Sequence, residues 1–196
     1  MATATTAFTD DDLAYLGRNF RTLAEVCAGR SETPDLVRRL MKERRLPQPS
    51  YVLDDGTELV PPDYFGLVDA AGGVDGLRDE YERRYWVATE KHGLDADPAL
   101  LERRWESYLD GISGICMRDV IPETIVRKGV LIDAIEALTA EPHESDPQWR
   151  DRLRERVDEL DSIEKEFAPD YDRSRFVPTR DTYIRDVRRA FPQLWA

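Results

Sequence analysis

Cysteine and histidine are scarce in this chain of 196 residues. It contains only Cys27, Cys116, His92 and His143. Two cysteines so far apart form no disulfide framework and are typical of a reduced, cytoplasmic protein. HExxH, CxxC and paired-histidine spacings are all missing, so we predict no metal site. His92 follows a predicted helix and His143 lies in a predicted loop, where an exposed histidine is the usual case.

Long apolar runs and a positive net charge are also missing. Without 18 consecutive apolar residues, no membrane-spanning helix is expected. The first residues, MATATTAFTDDD, have neither a basic region nor an apolar core, so we expect no signal peptide. The net charge of -12 disfavours anionic membranes and a surface that binds nucleic acid throughout. We therefore predict a cytoplasmic protein with no membrane partner. Separately, arginine greatly outnumbers lysine, which indicates a GC-rich bacterial genome.

Nucleotide-binding and hydrolase motifs are not found. The chain has no GxGxxG, no Walker-type loop and no GxSxG elbow, so no cofactor is predicted. What it has is 41% hydrophobic and 35% charged residues, which is typical of a mainly helical, charge-rich protein.

The first third of the chain predicts a small mixed module. Apolar residues at helical spacing follow the N-cap Thr9 as far as Val26, as one helix or as two with a kink near Phe20. Thr33-Pro34 opens a further helix that ends at Leu46-Pro47. Residues 50–53 and 57–60 flank Asp54-Asp55-Gly56, a strong hairpin signal.

The rest of the chain reads as amphipathic helices. A short helix follows the hairpin, from Tyr64 to about Ala71, and Gly72-Gly73 is the best candidate domain boundary. Longer helices are predicted over 75–92, 98–116, 122–138 and 149–167, and a last one is capped by Thr179 and ended by Pro192. We predict a winged helix-turn-helix-like module at 1–72 packed on a helical bundle at 73–196.

The helix after Thr33 concentrates basic residues within an acidic protein. The arrangement resembles the winged modules of mercury-resistance-type regulators and phage excisionases, which would imply DNA contact. Acidic residues at the wing tip and at the start of the helix, Glu32 and Asp35 among them, weigh against that use, and the alternative is a packing module whose arginines pair with carboxylates. The residues that would contact nucleic acid are Arg38, Arg39, Lys42, Arg44 and Arg45.

Cys116 is the candidate catalytic residue. It lies near a predicted helix end, where Arg118 could favour its thiolate by charge. The small residues Gly111, Ser113 and Gly114 would allow either close helix packing or a ligand against the backbone. The alternative is a buried structural cysteine, which is the usual state of a free thiol.

A second candidate site is a pocket between helices that would bind an anionic small molecule. Arginine suits carboxylate and phosphate recognition, and aromatic residues would line the remainder. The alternative is ordinary ion pairing with acidic residues such as Asp158, Asp161, Glu164 and Glu166. The predicted ligand-binding residues are Tyr108, Arg118, Arg127, Lys128, Arg173 and Arg180.

Several segments resemble a family of short bacterial proteins associated with natural-product biosynthesis. They are residues 114–116, 122–128, 147–149, 157–161, 167–173 and 180–184. The resemblance implies a role in secondary metabolism but no known reaction.

The sequence leaves three hypotheses for the function: a protein that binds an anionic metabolite, a DNA-binding regulator and a cysteine-dependent enzyme. A homodimer is possible, since Trp195 would suit either a dimer contact or docking onto its own chain.

Overall fold

The computed structural model describes residues 7–166 and 169–195. Over these residues the protein is mainly helical with one small antiparallel sheet, which confirms the predicted fold class. None of the described helices is long and apolar enough to cross a membrane. Two predictions fall on residues outside the described part. One is the absence of a signal peptide, which concerns residues 1–6, and the other is the end of a helix at Phe167.

The first predicted helix is interrupted by a short strand. Helix α1 (Asp10–Asn19) starts at a capping box in which Thr9 and Asp12 each accept the other's backbone N–H, at 3.1 and 3.0 Å. Strand β1 (Arg21–Thr22) follows, and Thr22 caps helix α2 (Leu23–Cys27). The break near Phe20 therefore separates two helices, and the next helix, α3 (Pro34–Lys42), begins at Thr33-Pro34 as predicted.

The hairpin pairs strand β2 (Tyr51–Val52) with strand β3 (Glu58–Val60). Strand β1 adds to the other edge of β3, so the sheet order is β1-β3-β2, with all neighbours antiparallel. Sequence analysis missed this third strand because two residues are too short to show an alternating pattern.

Seven further α-helices precede the C-terminal segment of the described chain. They are α4 (Gly66–Ala70), α5 (Leu77–Lys91), α6 (Pro98–Leu109), α7 (Ser113–Cys116), α8 (Pro122–Ala140), α9 (Pro147–Ile163) and α10 (Asp170–Arg173). The predicted single helix over 98–116 is wrong. It divides into α6 and α7 because Gly111 adopts φ 74°, a left-handed conformation that ends a helix.

The C-terminal helix differs from its prediction at the start. Thr179 already has helical backbone and does not cap the helix; its hydroxyl bonds to Glu164 instead. A π-helical turn (Asp181–Arg185) leads into helix α11 (Asp186–Ala190), and Phe191 precedes a final 3-10 turn (Pro192–Leu194). Trp195 packs on its own chain, with Nε1 donating to Asp158 at 2.8 Å.

Three groups of buried side chains form the core. The largest runs from Leu23 on α2 to Val126 on α8, and so has members on both sides of Gly72-Gly73. A second joins the latter part of α8 to α9 and α11 around Trp149. The third lies between α1 and the sheet. The largest group holds α3 and the hairpin against α5 and α6.

Candidate functional site

A short backbone pairing brings two distant segments together around Cys116. Met117 and Glu164 form an isolated antiparallel bridge. The N–H of Lys165 donates to the carbonyl of Cys116 at 2.7 Å, and the N–H of Arg118 donates to the carbonyl of Ile163 at 3.0 Å. The end of α7 is thereby fixed beside the residues that follow α9.

Four side chains from four segments meet at this pairing. Lys128 Nζ lies 2.9 Å from Cys116 Sγ and 2.8 Å from Glu164 Oε1. The Thr179 hydroxyl donates to the same Glu164 oxygen at 2.5 Å. Glu164 is fully buried, and the side chain of Lys128 is 15% exposed. We call Cys116, Lys128, Glu164 and Thr179 the thiol cluster.

The protonated form of Lys128 is stabilised by its neighbours. Burial alone would lower the pKa of this ammonium, but the adjacent Cys116 and Glu164 outweigh burial and raise its pKa above the ordinary value. The thiol cluster therefore contains a cation in direct contact with a sulfur atom.

Two pockets open on either side of the thiol cluster. The first has a volume of about 190 Å³, and its apolar walls include Ile115, Phe176 and Val177; we call it the apolar pocket. The second, of about 180 Å³, is lined by Arg104, Ser107 and Ser113, and we call it the arginine pocket. Both are lined by Ile112, Cys116, Lys128 and Thr179. Each exceeds the roughly 150 Å³ of a cavity that accommodates benzene.

Three residues that line the apolar pocket carry buried polar atoms that lack hydrogen-bond partners among the described residues. They are Glu164 Oε2, Asp172 Oδ1 and Arg180 Nη1. Their residues are 0%, 1% and 9% exposed. These atoms are exceptions to the usual pairing of buried polar groups.

Of the predicted site residues, the structure brings Cys116, Lys128 and Arg180 to one pocket. Arg118 lies behind it: Nε donates to the backbone carbonyl of Glu164 at 2.9 Å, and Nη2 lies 3.5 Å from Glu166. The cation beside the sulfur is thus Lys128, whereas the sequence had suggested Arg118. Arg180 also pairs with Asp161 through Nη2, and its buried Nη1 has no partner among the described residues.

The other predicted ligand-binding residues lie elsewhere. Tyr108 borders a separate cavity of about 20 Å³, which has room for a water molecule but not for a metabolite. Arg127 pairs with Glu159 in an open groove beside His92. Arg173 pairs with Asp181 at 2.7 Å and Asp170 at 2.8 Å. For Arg127 and Arg173, ion pairing with acidic residues is what the structure shows.

Gly111 and Gly114 allow two segments of the chain to pack closely. A Cβ at Gly111 would lie 2.5 Å from the carbonyl oxygen of Gln48, and one at Gly114 would lie 2.5 Å from Ser50 Oγ. The glycines therefore let α7 and the turn before it approach the segment that leads into the hairpin.

Sequence reasoning missed the site role of four residues. Glu164 was considered only as an ion-pair partner and Thr179 only as a cap, and Asp172 and Arg104 were not singled out. No spacing along the chain links these residues, since they meet only through tertiary packing. Over residues 7–166 and 169–195, no group of three or more His, Cys, Asp or Glu side chains is placed to hold a metal ion.

Lys165 lines the apolar pocket next to the thiol cluster. Its Nζ donates to the carbonyls of Gly114, at 2.8 Å, and Met117. Burial lowers the pKa of this lysine from 10.5 to about 8. The signal in the sequence was weak: Lys165 is one of only four lysines.

The lowered pKa of Lys165 predicts a rise in stability at alkaline pH. Between pH 8 and 10.5 the unfolded chain holds a proton that the native protein has released, so the free energy of unfolding increases with pH. Relative to Lys165→Met, the wild type should gain about 1.5 kcal/mol between pH 8 and pH 9.5. Urea unfolding of both proteins at the two pH values measures this difference. Other titrating groups are shared and largely cancel, so a constant difference would show that Lys165 keeps its ordinary pKa.

Three of the five basic residues proposed for DNA contact are engaged with carboxylates. Arg38 bonds to Glu58 at 2.7 Å and Asp35 at 2.8 Å. Arg44 pairs with Glu106 and Asp110 on and after α6, and Arg45 pairs with Asp75. Within the part of the chain that the structure describes, Arg39 and Lys42 form no ion pair.

Fold and site together define a mainly helical protein with a partly buried thiol–ammonium–carboxylate cluster whose members line two pockets. Residues 78–192 match a family of unknown function (DUF6058), and the chain belongs to this family. The thiol cluster and both pockets lie within the matched segment, whereas the sheet and the helices before it lie outside. No curated protein and no solved structure matches the chain.

Proposed function

We propose that the protein binds an anionic small molecule in the two pockets beside Cys116. The observation that carries the proposal is the pair of pockets: the apolar pocket is lined by Ile115, Phe176 and Val177, and both pockets are lined by Lys128. A ligand with an apolar body and an anionic group fits this combination.

The arginine pocket supports an anionic group on that ligand. Arg104 forms no ion pair with any residue the structure describes, although most arginines of this protein do. A guanidinium without a carboxylate partner, next to Ser107 and Ser113, suits a carboxylate or phosphate. The ammonium of Lys128 borders the same pocket and adds positive charge.

Octanoate, which joins a carboxylate to an apolar chain, is a suitable probe. We expect calorimetry to detect its binding to the wild type, and Arg104→Ala to weaken that binding about tenfold, because a hydrogen bond to a charged group contributes roughly 1.5–3 kcal/mol. Binding of 1-octanol, which has no charge, should be the same for both proteins.

Arg103→Ala is the matched control. Arg103 lies on the same helix, is largely exposed, has only a 3.8 Å contact with Asp97 and lines neither pocket. It removes the same charge from the surface, so octanoate binding should be unchanged. No octanoate binding, or equal losses in both variants, would contradict an anion site at Arg104.

The biological setting we propose is natural-product biosynthesis, with the ligand as an intermediate. Support comes from the resemblance carried by residues 114–116, 122–128 and 180–184, which include Cys116, Lys128 and Arg180 of the site. Deleting the gene and comparing the secondary metabolites of the two strains tests this setting; an unchanged metabolite profile would count against it.

The geometry gives less support to the alternative of a DNA-binding regulator. Carboxylates already occupy Arg38, Arg44 and Arg45, which leaves Arg39 and Lys42 on that helix to contact phosphates. Binding to duplex DNA at low ionic strength, where phosphate contacts are strongest, would favour the regulator. A homodimer also remains a prediction, although Trp195 is engaged within its own chain.

A further inference from the structure

Cys116 occupies a special place between the two pockets. Cys116 lines both of them, so a group bound in either pocket would lie close to this residue. A nucleophile in that position can receive a group from one pocket and pass it to an acceptor in the other. Cys27, the only other cysteine, is buried in the largest core group and lines neither pocket.

The surroundings of Cys116 suit a nucleophile. The Lys128 ammonium, 2.9 Å from the sulfur, is placed to stabilise negative charge there and to deliver a proton to a leaving group. Glu164 and Thr179 fix the ammonium from its other side, since Glu164 Oε1 bonds to both of them. Glu164, which is fully buried and carries the unpartnered Oε2, also lines the apolar pocket, an observation independent of the cysteine.

We propose that Cys116 is a catalytic nucleophile that accepts an acyl group from an acyl thioester, with the acyl chain in the apolar pocket. This rests on the proposed function, since it assigns a reaction to the same site.

The step balances without an oxidant or a reductant. The sulfur of Cys116 attacks the thioester carbonyl carbon, and a new carbon–sulfur bond forms as the bond to the departing thiol breaks. The Lys128 ammonium gives a proton to the departing thiolate, which leaves as a free thiol. An alcohol, an amine or water from the arginine pocket then attacks the acyl-cysteine and takes the acyl group. The proton that this acceptor loses restores the Lys128 ammonium, and Cys116 returns to the thiolate.

The probe is the octanoyl thioester of N-acetylcysteamine, incubated with the full-length protein near neutral pH. We expect intact-mass and peptide analysis to show one octanoyl group on Cys116, removed by hydroxylamine. Cys116→Ala should show no adduct, and Cys27→Ala should label like the wild type. Absence of the adduct on Cys116 would overturn the proposal.

The contribution of Lys128 needs a variant that folds. The double variant Lys128→Met/Glu164→Gln removes both charges and so leaves no unpaired charge in the interior. We expect it to acquire the octanoyl group at least about tenfold more slowly than the wild type, because the thiolate loses its counter-charge. Equal rates in the two proteins would show that the thiol reacts without the cluster and would overturn its catalytic role.

Octanoate binding to the wild type separates this inference from the proposed function. Binding without acylation of the wild type would overturn the acyl-transfer step alone. A wild-type protein that does not bind octanoate would overturn the proposed function.

Discussion

Replacing Gly111 with alanine should reduce the free energy of unfolding by about 3 kcal/mol. Two effects combine at this position. The residue has φ 74°, where a side chain costs roughly 1–2 kcal/mol, and the added Cβ would lie 2.5 Å from one backbone oxygen and 2.9 Å from another. Those oxygens belong to Gln48 and Pro49, so relief requires the backbone to move.

Gly93→Ala is the matched control for Gly111→Ala. Gly93 has a similar φ of 64°, but an added Cβ would meet no atom within 4 Å. We expect it to destabilise by about 1 kcal/mol, from the backbone conformation alone. Urea unfolding of both variants measures the two contributions, and equal losses would mean that the close approach at Gly111 is unimportant.

Replacing Lys128 with methionine should reduce the free energy of unfolding by about 3–5 kcal/mol. The substitution preserves much of the side-chain volume but leaves the carboxylate of Glu164 in the interior without its ammonium. Breaking a buried ion pair from one side is strongly destabilising, because the remaining charge is uncompensated.

The double variant Lys128→Met/Glu164→Gln should recover most of that loss, to within about 1.5 kcal/mol of the wild type, since neither charge remains. Arg154→Met provides the surface comparison. Arg154 pairs with Asp151 at 2.8 Å with both side chains exposed, and its loss should cost less than about 1 kcal/mol. A double variant no more stable than Lys128→Met would show that hydrogen bonding, not charge, explains the effect.

Most of the secondary structure could be predicted from the sequence, because the spacing of apolar residues and the residues that cap helices or form turns are local signals. Thr9 and Thr33-Pro34 open helices as their types suggest, and Asp54-Asp55-Gly56 turns the hairpin. The errors occurred where tertiary contacts decide. Gly111 interrupts a continuous apolar pattern because the segment leading to the hairpin packs against it.

The candidate site was predicted only in part, for a related reason. Cys116, Lys128 and Arg180 were singled out by residue type, and they meet in one pocket. Glu164, which connects Lys128 to Thr179, was hidden among the many acidic residues of a chain with a net charge of -12. Charge pairing can be expected from composition, but which carboxylate is buried depends on packing.

The largest core group has a practical consequence for protein production. The family match begins at residue 78, yet that core also includes Leu23, Val37 and Val60, together with residues of α5 and α6. An expression fragment cut at the family boundary would leave Tyr81, Trp105 and their neighbours facing solvent. The segment that matches the family is therefore shorter than the range of residues that share one core. In this protein the N-terminal module contributes Leu23, Val37 and Val60 to that core.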